Sequence, residues 1–115
     1  MSTTLLALYR RPAGGPAALE TFLQRYRGEH LPLIRTVPGL RALRVGRVAQ
    51  SFGESDLFLV ARLIFDDRAT LDAALASEPM RAAGRNLREI APGLVTTLVV
   101  EPDHALSSGA EEGLA

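Results

Sequence analysis

Apolar residues fall along the chain in blocks whose period changes from one block to the next. Thr3 to Tyr9 is a compact apolar run closed by Arg10, Arg11 and the turn-forming PAGGP, the pattern of a first strand. Leu19, Phe22, Leu23, Tyr26 and His30 then recur at helical spacing, giving one stripe over roughly residues 16–30 with Pro16 in its first turn. Pro32 lacks an amide donor and biases Leu31 away from helix, so the helix is expected to end there. Residues 40–49 read as a second strand, blurred by Arg41, Arg44 and Arg47. SFGES supplies a hairpin turn around Gly53, and DLFLVARLIF, residues 56–65, is the strongest strand signal in the chain. Asp66 or Asp67 is a natural N-cap for a helix to about Ala76 with Leu71 and Leu75 inside, and Ser77-Glu78-Pro79 restarts a helix to about Arg88. Residues 92–101 make a last strand.

The order β-α-β-β-α-β predicts an α+β fold, the ferredoxin-like split βαβ sandwich. Residues 1–101 form one domain, and 102–115 a flexible C-terminal tail with little to bury. Within the third strand both parities are apolar: Leu57, Leu59, Ala61, Leu63 and Phe65 on one side, Phe58, Val60 and Ile64 on the other. Two helices cover one side of a four-stranded sheet, so the second side calls for a second copy of the chain. Face-to-face pairing would bury on the order of 2,000 Å². Arg62 interrupts the second side. A guanidinium there needs a carboxylate in a structural ion pair or a place at the rim; alternatively it contacts an anion or oxyanion in a ligand cavity.

Charge and composition narrow the partners. Thirteen basic and thirteen acidic residues cancel, so no net field draws in nucleic acid or an anionic membrane. All of the basic residues are arginine, a composition that suits a GC-rich bacterial genome. The absence of cysteine removes disulfides, thiolate metal sites and a cysteine nucleophile, and suits a reducing cytoplasm. The N-terminal MSTTLLALYRR runs in the reverse order of a secretion signal, and no apolar stretch approaches membrane-spanning length. Gly14-Gly15 precedes a helix but lacks the fuller fingerprint of a nucleotide-binding loop. His104 stands in a polar tail, far in sequence from His30, and no metal-ligand spacing is present.

The helix with its His30-Leu31-Pro32-Leu33 ending, the VPGL that follows, and the Phe65-Asp66-Asp67 stretch leading to Ala76-Ser77-Glu78-Pro79 resemble the EthD family of dimeric α+β barrel proteins over residues 3–101. The resemblance implies a homodimer whose sheets close a barrel, with a cleft between sheet and helices in each subunit. Members take their name from a protein needed for ethyl tert-butyl ether degradation and often carry a reductase label without a defined reaction. Related barrels include monooxygenases, polyketide cyclases, an isomerase, haem-degrading enzymes and ligand domains of regulators, so fold alone does not choose a chemistry.

His30 matches the histidine of the family's HxPL motif and is the candidate acid or base, because imidazole exchanges protons near neutral pH. A histidine filling space at a helix C-terminus is the plainer reading. Tyr26, one turn earlier, is the second catalytic candidate, as donor to a substrate oxygen or orienter of the imidazole. Tyr9, Arg62, Phe22 and Phe58 are candidate substrate-binding residues, with a core role open for the phenylalanines. These residues suit cofactor-independent oxidoreductase-, cyclase-, lyase- or isomerase-type chemistry on a small hydrophobic, oxygen-bearing metabolite. No resident metal or cofactor is expected; haem held by His30 is the alternative drawn from related barrels. Two further readings stand beside the enzyme: a non-catalytic carrier or auxiliary component of an oxygenase pathway using the same cavity, and a barrel filled by side chains with no cavity.

Overall fold

The structure, a computed structural model, describes residues 2–109. Its elements run β1 (Thr3–Arg10), α1 (Gly15–Arg25), a π-helical turn (Tyr26–His30), α2 (Leu31–Ile34), β2 (Ala42–Arg47), β3 (Leu57–Phe65), α3 (Arg68–Leu75), α4 (Glu78–Ile90) and β4 (Val95–Val100). All strand pairings are antiparallel, in the order β2-β3-β1-β4. The fold is the ferredoxin-like α+β sandwich, with every helix on one face of the sheet.

Strict alternation in β1 sends Leu5, Ala7 and Tyr9 into the core and leaves Leu6 and Leu8 half-buried on the open face. In β3, Leu59, Ala61, Leu63 and Phe65 are buried toward the helices, while Val60, Arg62 and Ile64 lie on the open face. Phe58 departs from that parity. The β1–β3 register shifts between Tyr9 and Arg10, so Phe58 and Leu59 are both buried, and the Phe58 ring meets Phe22 of α1 at 5.7 Å. A bulge places two consecutive residues against one partner, and simple alternation fails across it.

The helix expected to stop before Pro32 runs on to Ile34. The π-helical turn makes this possible: the Leu31 amide donates to the Tyr26 carbonyl, five residues back. The widened turn gives the proline ring room where an α-helical turn would press it against the carbonyl four residues before. It also keeps a stripe aligned. Phe22, Tyr26, His30 and Ile34 are all buried, yet residues four apart in an α-helix drift by about 40° per step. The wider turn takes back part of that drift, so all four face the sheet.

Asp67, not Asp66, caps α3: its Oδ1 accepts from the Thr70 amide at 2.8 Å and the Thr70 hydroxyl at 2.7 Å, while Asp66 pairs with Arg41. Removing this cap in Asp67→Ala is expected to lower stability, read as a urea midpoint shifted down with an unchanged slope. Gly39, at φ 77°, brings the loop before β2 against α3; a Cβ there would lie 2.5 Å from Thr70 Cγ2. The strand ends also differ from the sequence reading: β2 is shorter than residues 40–49, β4 begins at Val95, and α4 continues two residues past Arg88.

Residues 101–109 are exposed, with a turn over 104–106 and His104 at the surface; the tail residues 110–115 lie outside the described residues. No helix among the described residues is long and apolar enough to cross a membrane.

Candidate functional site

Between the sheet and α2, α3 and α4 lies a cavity of about 180 Å³. Leu5, Ala7, Ala61 and Leu63 form its floor, and Met80, Ala83, Gly84 and Leu87 of α4 part of its roof. Three aromatic groups, Tyr9, Tyr26 and His30, border it, with Thr97 of the edge strand β4 at an exposed margin. No charged side chain lines it. Its volume is of the order that holds a single ring: an engineered apolar cavity of about 150 Å³ binds benzene.

The aromatic residues form a ladder. Phe22 stacks on Tyr26 at 5.4 Å, Tyr26 stacks on His30 at 5.3 Å, and the Tyr9 ring meets Tyr26 edge-on at 5.2 Å. The structure thus brings Tyr9, Tyr26 and His30 to one wall. Phe22 stands behind them, with Phe58 behind Phe22, and neither phenylalanine lines the cavity. Both are core residues that fix the ladder's position. Burial raises the pKa of both phenols; the neighbouring Tyr26 pushes Tyr9 further up, and the Tyr9 hydroxyl partly offsets the rise at Tyr26. Both hydroxyls therefore keep their protons at neutral pH.

Arg62 is not part of this site. Its Cα pairs with Leu6 on one side and Arg44 on the other, so its side chain leaves the sheet on the face away from the helices. Among the described residues no carboxylate forms an ion pair with it. Among the described residues neither a contact with this cavity nor an ion pair is present; Arg62 and Arg44 stand side by side on the open face, like charges directly opposite, which is a destabilising arrangement.

His30 is 2% exposed. Its Nδ1 lies 3.2 Å from Asn86 Oδ1 on α4. Asn86 Nδ2 donates to Glu29 Oε1 at 3.0 Å, and Glu29 is gripped by Arg25 through two contacts of 2.8 and 3.0 Å. Arg25 also reaches Glu89 at 2.6 Å, tying α1 to α4. Burial lowers the His30 pKa to about 4, with the Asn86 contact pulling the other way. The imidazole is therefore neutral at cellular pH. No buried side-chain nitrogen or oxygen among the described residues lacks a partner; the described residues form no hydrogen bond to His30 Nε2, and the ring borders the cavity.

Asn86 is the residue that sequence reasoning missed. Asparagine in a helix interior is an unfavourable choice and favours caps and turns instead. One such residue near the stripe Met80, Ala83, Leu87, Ile90 was the available signal. A porphyrin does not fit: His30 offers a free ring nitrogen, but the space before it is far smaller than the macrocycle.

No family model matches the chain. An EthD family protein (ethyl tert-butyl ether d) of known structure from Bacillus halodurans C-125 is 32% identical and superimposes with a TM-score of 0.79, over 90% of this chain and 100% of that one. A Rhodococcus erythropolis protein, described as an uncharacterized 11.0 kDa protein of the thcB-thcC intergenic region, is 27% identical over 100 residues, 86% of this chain and 93% of its own. A dimeric ferredoxin-like protein of unknown function from Jannaschia sp. CCS1 shares the fold at 18% identity, with a TM-score of 0.65 over 89% of this chain and 100% of that one. On the strength of the first of these, with its identity and its full-length overlap, the chain belongs to the EthD family.

Proposed function

We propose that the protein takes a small, largely apolar, oxygen-bearing molecule into the cavity between sheet and helices, and that His30 moves a proton on it. The observation that carries this reading is a neutral imidazole, nearly sealed in the core, that borders a largely apolar space of ligand size. A titratable group is costly to bury, and a purely structural stripe would place an apolar residue there. Tyr26 and Tyr9, both protonated and hydrogen-bonded to each other, leave one hydroxyl proton for a substrate carbonyl; Arg62 takes no part. Enolisation of a ketone is the elementary step these groups suit: Nε2 removes a proton alpha to the carbonyl while a phenol hydroxyl donates to its oxygen.

The carrier reading retains one specific support, since His30 is the single basic group on the described cavity wall and burial lowers its pKa to about 4, which makes it a weak base. The two separate in deuterium oxide. With cyclohexanone as probe, the enzyme reading expects hydrogen-deuterium exchange of the alpha protons, followed by proton NMR, to be accelerated and to fall by about 10²–10⁴-fold in His30→Phe. Thermal stabilisation by the ketone without exchange would favour the carrier. Exchange at the wild-type rate in a folded His30→Phe protein removes His30 from the chemistry.

The open sheet face is completed, in this reading, by a second copy. Leu6, Leu8, Val60, Ile64, Leu98 and Val100 share that face without a helix over it, and the Jannaschia protein of the same fold is described as dimeric.

A further inference from the structure

We infer that Asn86 locks His30 in the tautomer that carries its proton on Nδ1, so that Nε2 is a permanent acceptor and the cavity selects a small neutral ligand that donates an O–H to it. The ligand half of this inference rests on the proposed function; the tautomer half does not.

The argument runs inward from the surface. Arg25 beside Glu29 holds the Glu29 carboxyl below the usual carboxylate range, so it is ionised at neutral pH and can only accept hydrogen bonds. The Asn86 amide group facing it at 3.0 Å must therefore be the NH₂. That choice turns Oδ1, an acceptor, toward His30. An acceptor facing Nδ1 at 3.2 Å requires the proton on Nδ1, and because burial keeps the ring neutral, Nε2 has none. Charge on an exposed arginine and glutamate thus decides which face of a buried ring is basic.

A lone pair fixed at Nε2 sets the ligand. A carboxylate or other anion would meet a second acceptor and no cation, since no charged side chain lines the cavity. A ketone or ether finds nothing at Nε2 to donate to it. A neutral alcohol, phenol or enol supplies the missing proton while its hydrocarbon part occupies the apolar floor of Leu5, Ala7, Ala61 and Leu63. A ketone would instead place its oxygen on a phenol hydroxyl, leaving Nε2 to face its alpha carbon.

Two-bond ¹H–¹⁵N correlation spectra of histidine-labelled protein at pH 7 test the tautomer directly. His30 is expected to show the Nδ1–H pattern in the wild type and to shift toward Nε2–H in Asn86→Ala. An Nε2–H pattern in the wild type, which needs no variant to fold, overturns the lock. So does an unchanged pattern in a folded Asn86→Ala protein. Phenol and anisole, alike in shape but differing in the O–H, test the ligand. Phenol is expected to bind about tenfold more tightly, the effect of one hydrogen bond, with the preference lost in Asn86→Ala. Equal binding overturns the acceptor role. Binding of neither, with the Nδ1–H pattern in place, overturns the ligand class and the reading of the cavity while the lock stands.

Discussion

Acidifying the protein from pH 6.5 to about 4 is expected to remove about 3 kcal/mol of stability through His30 alone. The folded pKa lies below the unfolded value, so across that window the unfolded chain binds a proton that the native protein excludes. Stability from this source is complete above pH 6.5 and falls as the pH drops toward 4. The carboxylates with depressed pKa, Glu29 among them, contribute stability that is lost at lower pH still, and they are common to both proteins in the comparison that isolates the histidine. Urea unfolding of wild type and His30→Phe at a series of pH values gives that comparison. The wild-type curve should steepen relative to the variant between pH 6.5 and 4; parallel curves would show that the ring is solvated.

The second large effect concerns the open face of the sheet. Leu8 sits near its middle, opposite Val60 of β3 and Thr96 of β4. Replacing it in Leu8→Arg removes a leucine's burial in the proposed dimer, about 1.5–3 kcal/mol in each copy, and adds a charge to a face where Arg44 and Arg62 pair with no carboxylate among the described residues. Because a two-fold interface repeats every substitution, the dissociation constant of the proposed dimer should rise by about 1,000-fold or more. Sedimentation velocity should then find a folded single chain at micromolar concentration. A Leu8→Arg protein that stays dimeric would show that the copies meet elsewhere.

Much of this architecture was legible from one-dimensional pattern. The compact apolar run of β1 and the apolar density of β3 identified two of the strands, and the stripe from Leu19 to His30 identified the helix and the ring on it. Where the reading failed, a local rule met a tertiary fact. Proline normally ends a helix, but a turn one residue wider carries the chain past Pro32. Alternation assigned Phe58 to the wrong face because a register shift is a property of two strands, and only one was in view. Arg62 was given its correct face, yet which face holds the cavity follows from where the helices pack. Asn86 stood out only as an asparagine inside a helix: 56 residues separate it from His30, and nothing in α4 alone names the partner.

The widened turn at residues 26–30 makes chain length at that point part of the site. Most surface helices tolerate the loss of a residue by sliding their loops. Here a deletion at Gly28 would restore ordinary helical winding, roll Tyr26 and everything before it about the axis relative to His30, and take the ladder apart without altering a single side chain. When kindred sequences are laid against this one, a gap between that tyrosine and that histidine is therefore the mark of a protein that has kept the barrel and given up the pocket's wall.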